Sequence, residues 1–189
     1  MKAIVCAILG LQLAVLSVHA AAPAAQEKSL DEVARVATIM IDGDVCQHIV
    51  TARALEHMLK NDPRDEWQAG DNYDVNNDAF IQTKKTLIRL AMLASYPVNV
   101  NLWMPVPGTQ DIQLVIFNKY NLSQFAGSED NLEQSMPPEM QQVLKTGTRL
   151  TVTRQPGMLS VLAPVRNSLG DIVGLVEVVA STAPPAQGG

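Results

Sequence analysis

Residues 71–78, "DNYDVNND", place side-chain oxygens at Asp71, Asp74, Asn76 and Asp78. The spacing Asp74-Asn76-Asp78 matches the opening of a calcium-binding loop. The sixth position of such a loop is Ala79 where glycine is needed, and the twelfth is Lys85 where glutamate is needed. That breaks the EF-hand signature, and loop polarity with helix capping by Asp78 accounts for the run. His48 and His57 lie on different faces of one helix, with Cys46 nearby. A transition metal asks for three or four converging ligands, so no metal centre is expected. "DVCQHIV" lacks the first cysteine that covalent haem attachment requires. No Gly-x-Ser-x-Gly, His-Glu-x-x-His, phosphate loop or dinucleotide glycine pattern occurs. Nothing in the chain asks for catalysis, and the expectation is a protein that is not an enzyme and carries no cofactor.

The chain has 189 residues. "MKAIVCAILGLQLAVLSVHA" has one lysine, an apolar run from Ala3 to Val18 and small residues after it. Residues 1–22 therefore read as a secretory signal peptide, since sixteen apolar residues are short for a spanning helix. Periplasmic or secreted localisation follows. Loss of Lys2 takes the formal charge from −5 to about −6, and an acidic chain without a basic cluster excludes nucleic acid and anionic lipid as natural partners. Cys46 is then the remaining thiol, so no internal disulfide is expected.

The positioning elements follow from periodicity. Residues 23–28 read as a linker, and Ser29 with Glu32 forms a capping box. Apolar residues from Leu30 through Ile41, Ile49 and Leu59 recur at three or four residues, one stripe of a helix reaching about Lys60. Gly43 marks a break or bend; without one, the upper half of the stripe packs against a partner chain, as a homodimer through residues 30–60. A second helix starts at Asp78 and stops at Pro97, burying Phe80, Ile81, Leu87, Ile88 and Ala91. From Val98 the period becomes two. "VNVNLWM" and "IQLVIFN" form a hairpin; Asn99 and Asn101 share a strand face with Trp103 that reads as a wet outer face or, as the alternative, a polar pocket wall, with solvent exposure of the two amides preferred. Residues 119–135 are irregular. "SMPPEMQQVLKTG" is a compact helix capped by Ser135 and ended by Gly147. "TRLTV", "MLSVLAPV" and "DIVGLVEVVA" are three more strands. The tail 182–189 reads as disordered.

"PPEMQQVLKTGTRLTV" followed by "LSVLAPVRNSLGDIVGLVEVVA" resembles the second half of a Cache domain, a PAS-like extracytoplasmic ligand sensor of the single-Cache type. The hairpin pattern of that family is met by Pro164, Val165, Arg166, Gly170 and Gly174. The resemblance implies an α+β fold over residues 29–181. It would be a five-stranded antiparallel sheet with a long N-terminal helix and covering helices.

The resemblance also implies a small-ligand pocket between the sheet, the short helix and the loops. Arg149 and Arg154 lie around the third strand, and Trp103 and Tyr120 around the first hairpin. An arginine fork suits a carboxylate and an aromatic wall excludes water, so these four are the expected ligand-binding residues. The expected function is an exported, stand-alone sensor or binding domain for an organic acid or amino acid. With no kinase or receptor module in the chain, it would act through a separate membrane receptor or kinase. The alternative is a ligand-free structural or interaction protein that dimerises through its long N-terminal helix.

Overall fold

Tyr96 donates its hydroxyl hydrogen bond to the Gln26 carbonyl at 3.0 Å, and Gln26 Nε2 donates to the Ser181 carbonyl at 2.8 Å. These two bonds pin the start of the leading helix to the sheet. The computed structural model describes residues 24–60, 75–116, 132–133 and 136–182. Residues 1–22, read above as a signal peptide, Tyr120 and the tail from 183 lie outside the described residues. Helix α1 spans 24–40, so the stretch read as a linker is helical and Ser29 sits inside the helix, not at its cap. Ala24, Ala25, Gln26, Glu27 and Lys28 are all strong helix formers, and Leu30 is buried in the next turn.

The continuous helix to Lys60 does not form. Asp42 accepts from the amides of Asp44 and Val45 at 2.9 and 3.3 Å, capping a new helix, α2, Gly43–Cys46. A Cβ at Gly43 would overlap the Arg166 carbonyl, so glycine is what lets α2 press against the sheet. The bend turns Ile41, Cys46 and Ile49 into the same core as α1. Helix α3, Ala52–Lys60, follows. An isolated bridge joins Val50 to Val75, beside an Asn76 amide bond to the Ile49 carbonyl at 2.8 Å.

Helix α4, Asn77–Ala91, is capped by Asn76, whose side chain accepts from the Ala79 amide at 3.3 Å, not by Asp78. It buries Ala79, Phe80, Thr83, Leu87 and Leu90. Ile81 and Ile88, expected inside, are 45% and 43% exposed. The buried face is rotated because Thr83, a polar residue, occupies an inward position that a hydrophobic pattern passes over.

The strands are β1 Asn99–Pro105, β2 Ile112–Ile116, β3 Leu132–Glu133, β4 Leu150–Gln155, β5 Met158–Arg166 and β6 Ile172–Ser181. Their spatial order is β3-β2-β1-β6-β5-β4, with every pairing antiparallel. Five long strands and a two-residue edge strand carry helices on both faces. This is the α+β, PAS-like architecture that the resemblance implies. Helix α5, Pro138–Thr146, starts after Pro137 without a side-chain cap, and Gly147 closes it in the left-handed conformation. Ser135, expected as its cap, lies outside the described residues.

Strand alternation splits the interior. On one face Val100, Leu102, Val161, Ala163, Val176 and Val178 meet α1, α2 and α4. On the other, Trp103, Ile112, Leu162 and Leu175 meet Met140 and Val143 of α5. Trp103 and Asn101 are therefore 6% and 3% exposed, and the side assigned to solvent is covered by α5.

Candidate functional site

Glu177 is the one acid of β6, and it sits in the middle of a strand flanked by β1 and β5. Its register partners are Asn101 on β1 and Leu162 on β5. The side chain therefore points to the α5 face, where it is 6% exposed. A carboxylate buried at this depth must be surrounded by donors to stay there. Trp103 Nε1 donates to Oε2 at 2.9 Å and Asn101 Nδ2 to the same oxygen at 3.4 Å. Ser160 Oγ donates to Oε1 at 3.0 Å. Arg154 reaches across from β4, with its Nη1 at 3.8 Å from Oε1.

Arg154 also lies 3.5 Å from Glu139 Oε1 on α5. Its guanidinium stands over the Trp103 ring at 5.4 Å from the centroid, within cation–π range. Both ion-pair distances exceed those of a charge-assisted hydrogen bond. The result is a buried anion and a cation side by side on an aromatic platform, fixed by four strands and α5.

Two of the four residues expected at a ligand site, Trp103 and Arg154, are brought together here. Arg149 is placed elsewhere. Its Nε and Nη2 donate to Asp31 on α1 at 2.7 and 3.0 Å, a two-pronged tie between the β4 edge and the leading helix. That hydrogen bonding holds the Asp31 carboxyl below its usual range, against the opposing effect of partial burial. Tyr120 is outside the described residues.

Sequence reasoning passed over Ser160 and Glu177 and preferred solvent for Asn101. A signal existed for Glu177: in "DIVGLVEVVA" a single acid interrupts an apolar strand flanked by two others. Ser160 is small enough to pass in any strand, and Asn101 has the same alternation as an outward residue.

A cavity of about 340 Å³ opens on the opposite face, between the α2–α3 segment and the β1–β2 end of the sheet. The hollow implied by the resemblance was on the α5 side, where Trp103, Leu162 and Leu175 instead pack against Met140 and Val143. Among the described residues no cluster of three or more His, Cys, Asp or Glu is placed to hold a metal ion. No described helix is long and apolar enough to cross a membrane.

No family model matches the chain, and no curated protein does. Among solved structures it is similar to the A. Aeolicus nlh2 GAF domain, crystallised in an inactive state. The identity is 9%, covering 70% of this chain and 80% of that one, with a TM-score of 0.37.

Proposed function

We propose that the chain is a non-catalytic, Cache-like small-molecule binding domain whose ligand is an amino acid seated against the α5 face of the sheet. The observation that carries this reading is the pairing of Glu177 with Arg154 over Trp103. A ligand ammonium is attracted by the carboxylate, a ligand carboxylate by the guanidinium fork, and the indole supplies a dry wall. A simple organic acid uses only half of this arrangement, so the zwitterion is favoured over it. Export and action through a separate membrane receptor or kinase belong to the same proposal. A thermal-shift screen tests it with amino acids, their decarboxylated amines and their deaminated acids. Stabilisation by one group of amino acids, lost in Arg154→Ala and kept in Arg149→Ala, supports the reading. A flat screen on the folded wild-type chain overturns it.

A second reading rests on a different surface. Ile88, Met92 and Leu93 of the α4 region and Ile39 and Met40 at the end of α1 are exposed large apolar side chains, and such exposure accompanies interaction sites. An interaction protein that dimerises within residues 30–60 would use Ile39 and Met40. A flat ligand screen beside a dimer broken by Met40→Glu selects this reading.

A further inference from the structure

The cavity on the face opposite Glu177 has a chemistry of its own. Val50, Leu55, Val106, Ile172 and Val173 line it, and among the described residues none that lines it is charged or histidine. Its polar groups are the amides of Gln47 and Gln113, together with the Cys46 thiol. Gln113 is buried between Ile112 and Leu114, and its register partner Met104 lines the same wall. Burial pushes the Cys46 thiol up to about 12, so Cys46 adds no charge to this wall.

The walls are held apart. At one end α2 is seated on the β5–β6 turn: Gly43 packs on Arg166, and the Ser168 amide donates to Asp44 Oδ2 at 2.9 Å. At the other end the Val50–Val75 bridge and the Asn76-to-Ile49 bond fix the α2–α3 connection. Met104 lies flat across β6, where a Cβ at Gly174 would meet its sulfur at 2.6 Å. A frame tied at both ends resists the collapse that normally closes a void. The volume of about 340 Å³ falls within the range of small-molecule sites, about 300–1,000 Å³.

We infer that this cavity is a second binding site, for an uncharged, mostly apolar small molecule with one hydrogen-bonding group met by Gln113 or Gln47. A carboxylate or ammonium would leave water with no counter-charge among the described lining residues.

The test uses the full chain with ¹³C-methyl methionine and two matched probes, 4-methylbenzyl alcohol and 4-methylbenzoate. The Met104 methyl resonance, assigned with Met104→Leu, is expected to shift saturably with the alcohol. The benzoate is expected to bind at least about tenfold more weakly. The Trp103 indole N–H, on the other face, is expected to stay in place under the alcohol. Val50→Phe and Val173→Phe place a ring in the space from two different walls. Each is expected to weaken the alcohol by at least about tenfold while its methyl spectrum remains that of a folded chain. Either variant suffices if the other fails to fold. No saturable shift in the wild type, equal binding of the benzoate, or unchanged affinity in a folded filling variant overturns the inference.

Discussion

Replacing Glu177 by leucine should be the most damaging single change on the α5 face. The substitution keeps the volume roughly constant and removes the acceptor shared by Trp103 Nε1, Asn101 Nδ2 and Ser160 Oγ. An orphaned buried donor costs about 1–3 kcal/mol, and Arg154 loses a carboxylate neighbour. Ser160 can rotate its hydroxyl towards a carbonyl and Arg154 keeps Glu139. The indole N–H and the Asn101 amide are held by strand geometry and cannot turn away as easily. The expected loss is therefore about 3–5 kcal/mol, the range for breaking one side of a buried pair. That is a large part of the roughly 5–15 kcal/mol available to a domain. Urea unfolding reads it: with a slope of about 2 kcal/mol/M, the midpoint falls by roughly 1.5–2.5 M. Glu177→Gln retains one acceptor oxygen and should lose less than half as much. The triple change Asn101→Leu, Ser160→Ala, Glu177→Leu should recover much of the loss, because it removes the orphaned groups with the acid. A Glu177→Leu midpoint within about 0.3 M of wild type, at unchanged slope, would refute the claim that the donors depend on this carboxylate.

Other expectations follow from the remaining contacts. Arg149→Ala should cost about 0.2–1 kcal/mol at neutral pH, since the tie to Asp31 is partly exposed, with side chains 32% and 43% accessible. The folded pKa of Asp31 is depressed by this pair. Its contribution is therefore present above the unfolded value near 4 and fades as pH falls through the folded one; melting curves of the two proteins should converge in acid. Cys46 has the opposite sign: burial raises its folded pKa to about 12 from the ordinary thiol value of 9.0. Stability from the neutral buried thiol is complete below pH 9 and declines as pH climbs towards 12, by up to about 1.4 kcal/mol per unit. Cys46→Ala should flatten that decline, as urea midpoints from pH 8 to 11 would show. Gly43→Ala should lower the melting temperature because its Cβ meets the Arg166 carbonyl. A destabilisation of about 1–3 kcal/mol is expected for such overpacking, and an unchanged melting curve would show that α2 does not rest on that turn.

The sheet was legible because the signals for it are local. "RQPG" and "RNSLG" end strands with glycines at φ 76° and 89°, and the period-two runs between them leave one register that buries both faces. The helical layer was less legible. A stripe at three and four residue steps reads the same in one long helix and in two helices joined by a bend. What decided between them was the Gly43–Arg166 contact, made by residues more than a hundred positions apart. The solvent assignment of Asn101 failed for a related reason: α5 arrives from a later part of the chain, and alternation cannot say which side it will cover. Of the cluster around Glu177, Trp103 and Arg154 were among the four residues that the resemblance pointed to. Arg149, similar in sequence context, was taken by a carboxylate on α1. Which of two arginines finds an acid first is a tertiary fact.

The central claim is that the Glu177–Arg154 pair over Trp103 receives an amino acid. Its most direct test is the ¹H–¹⁵N resonance of the Trp103 indole N–H, which donates to Glu177 at 2.9 Å, followed while an amino-acid panel is titrated into the full chain. A saturable shift with one group of amino acids, absent with their amines and deaminated acids and lost in Arg154→Ala, is the predicted result. An indole resonance that stays in place at saturating concentrations of every member would contradict it.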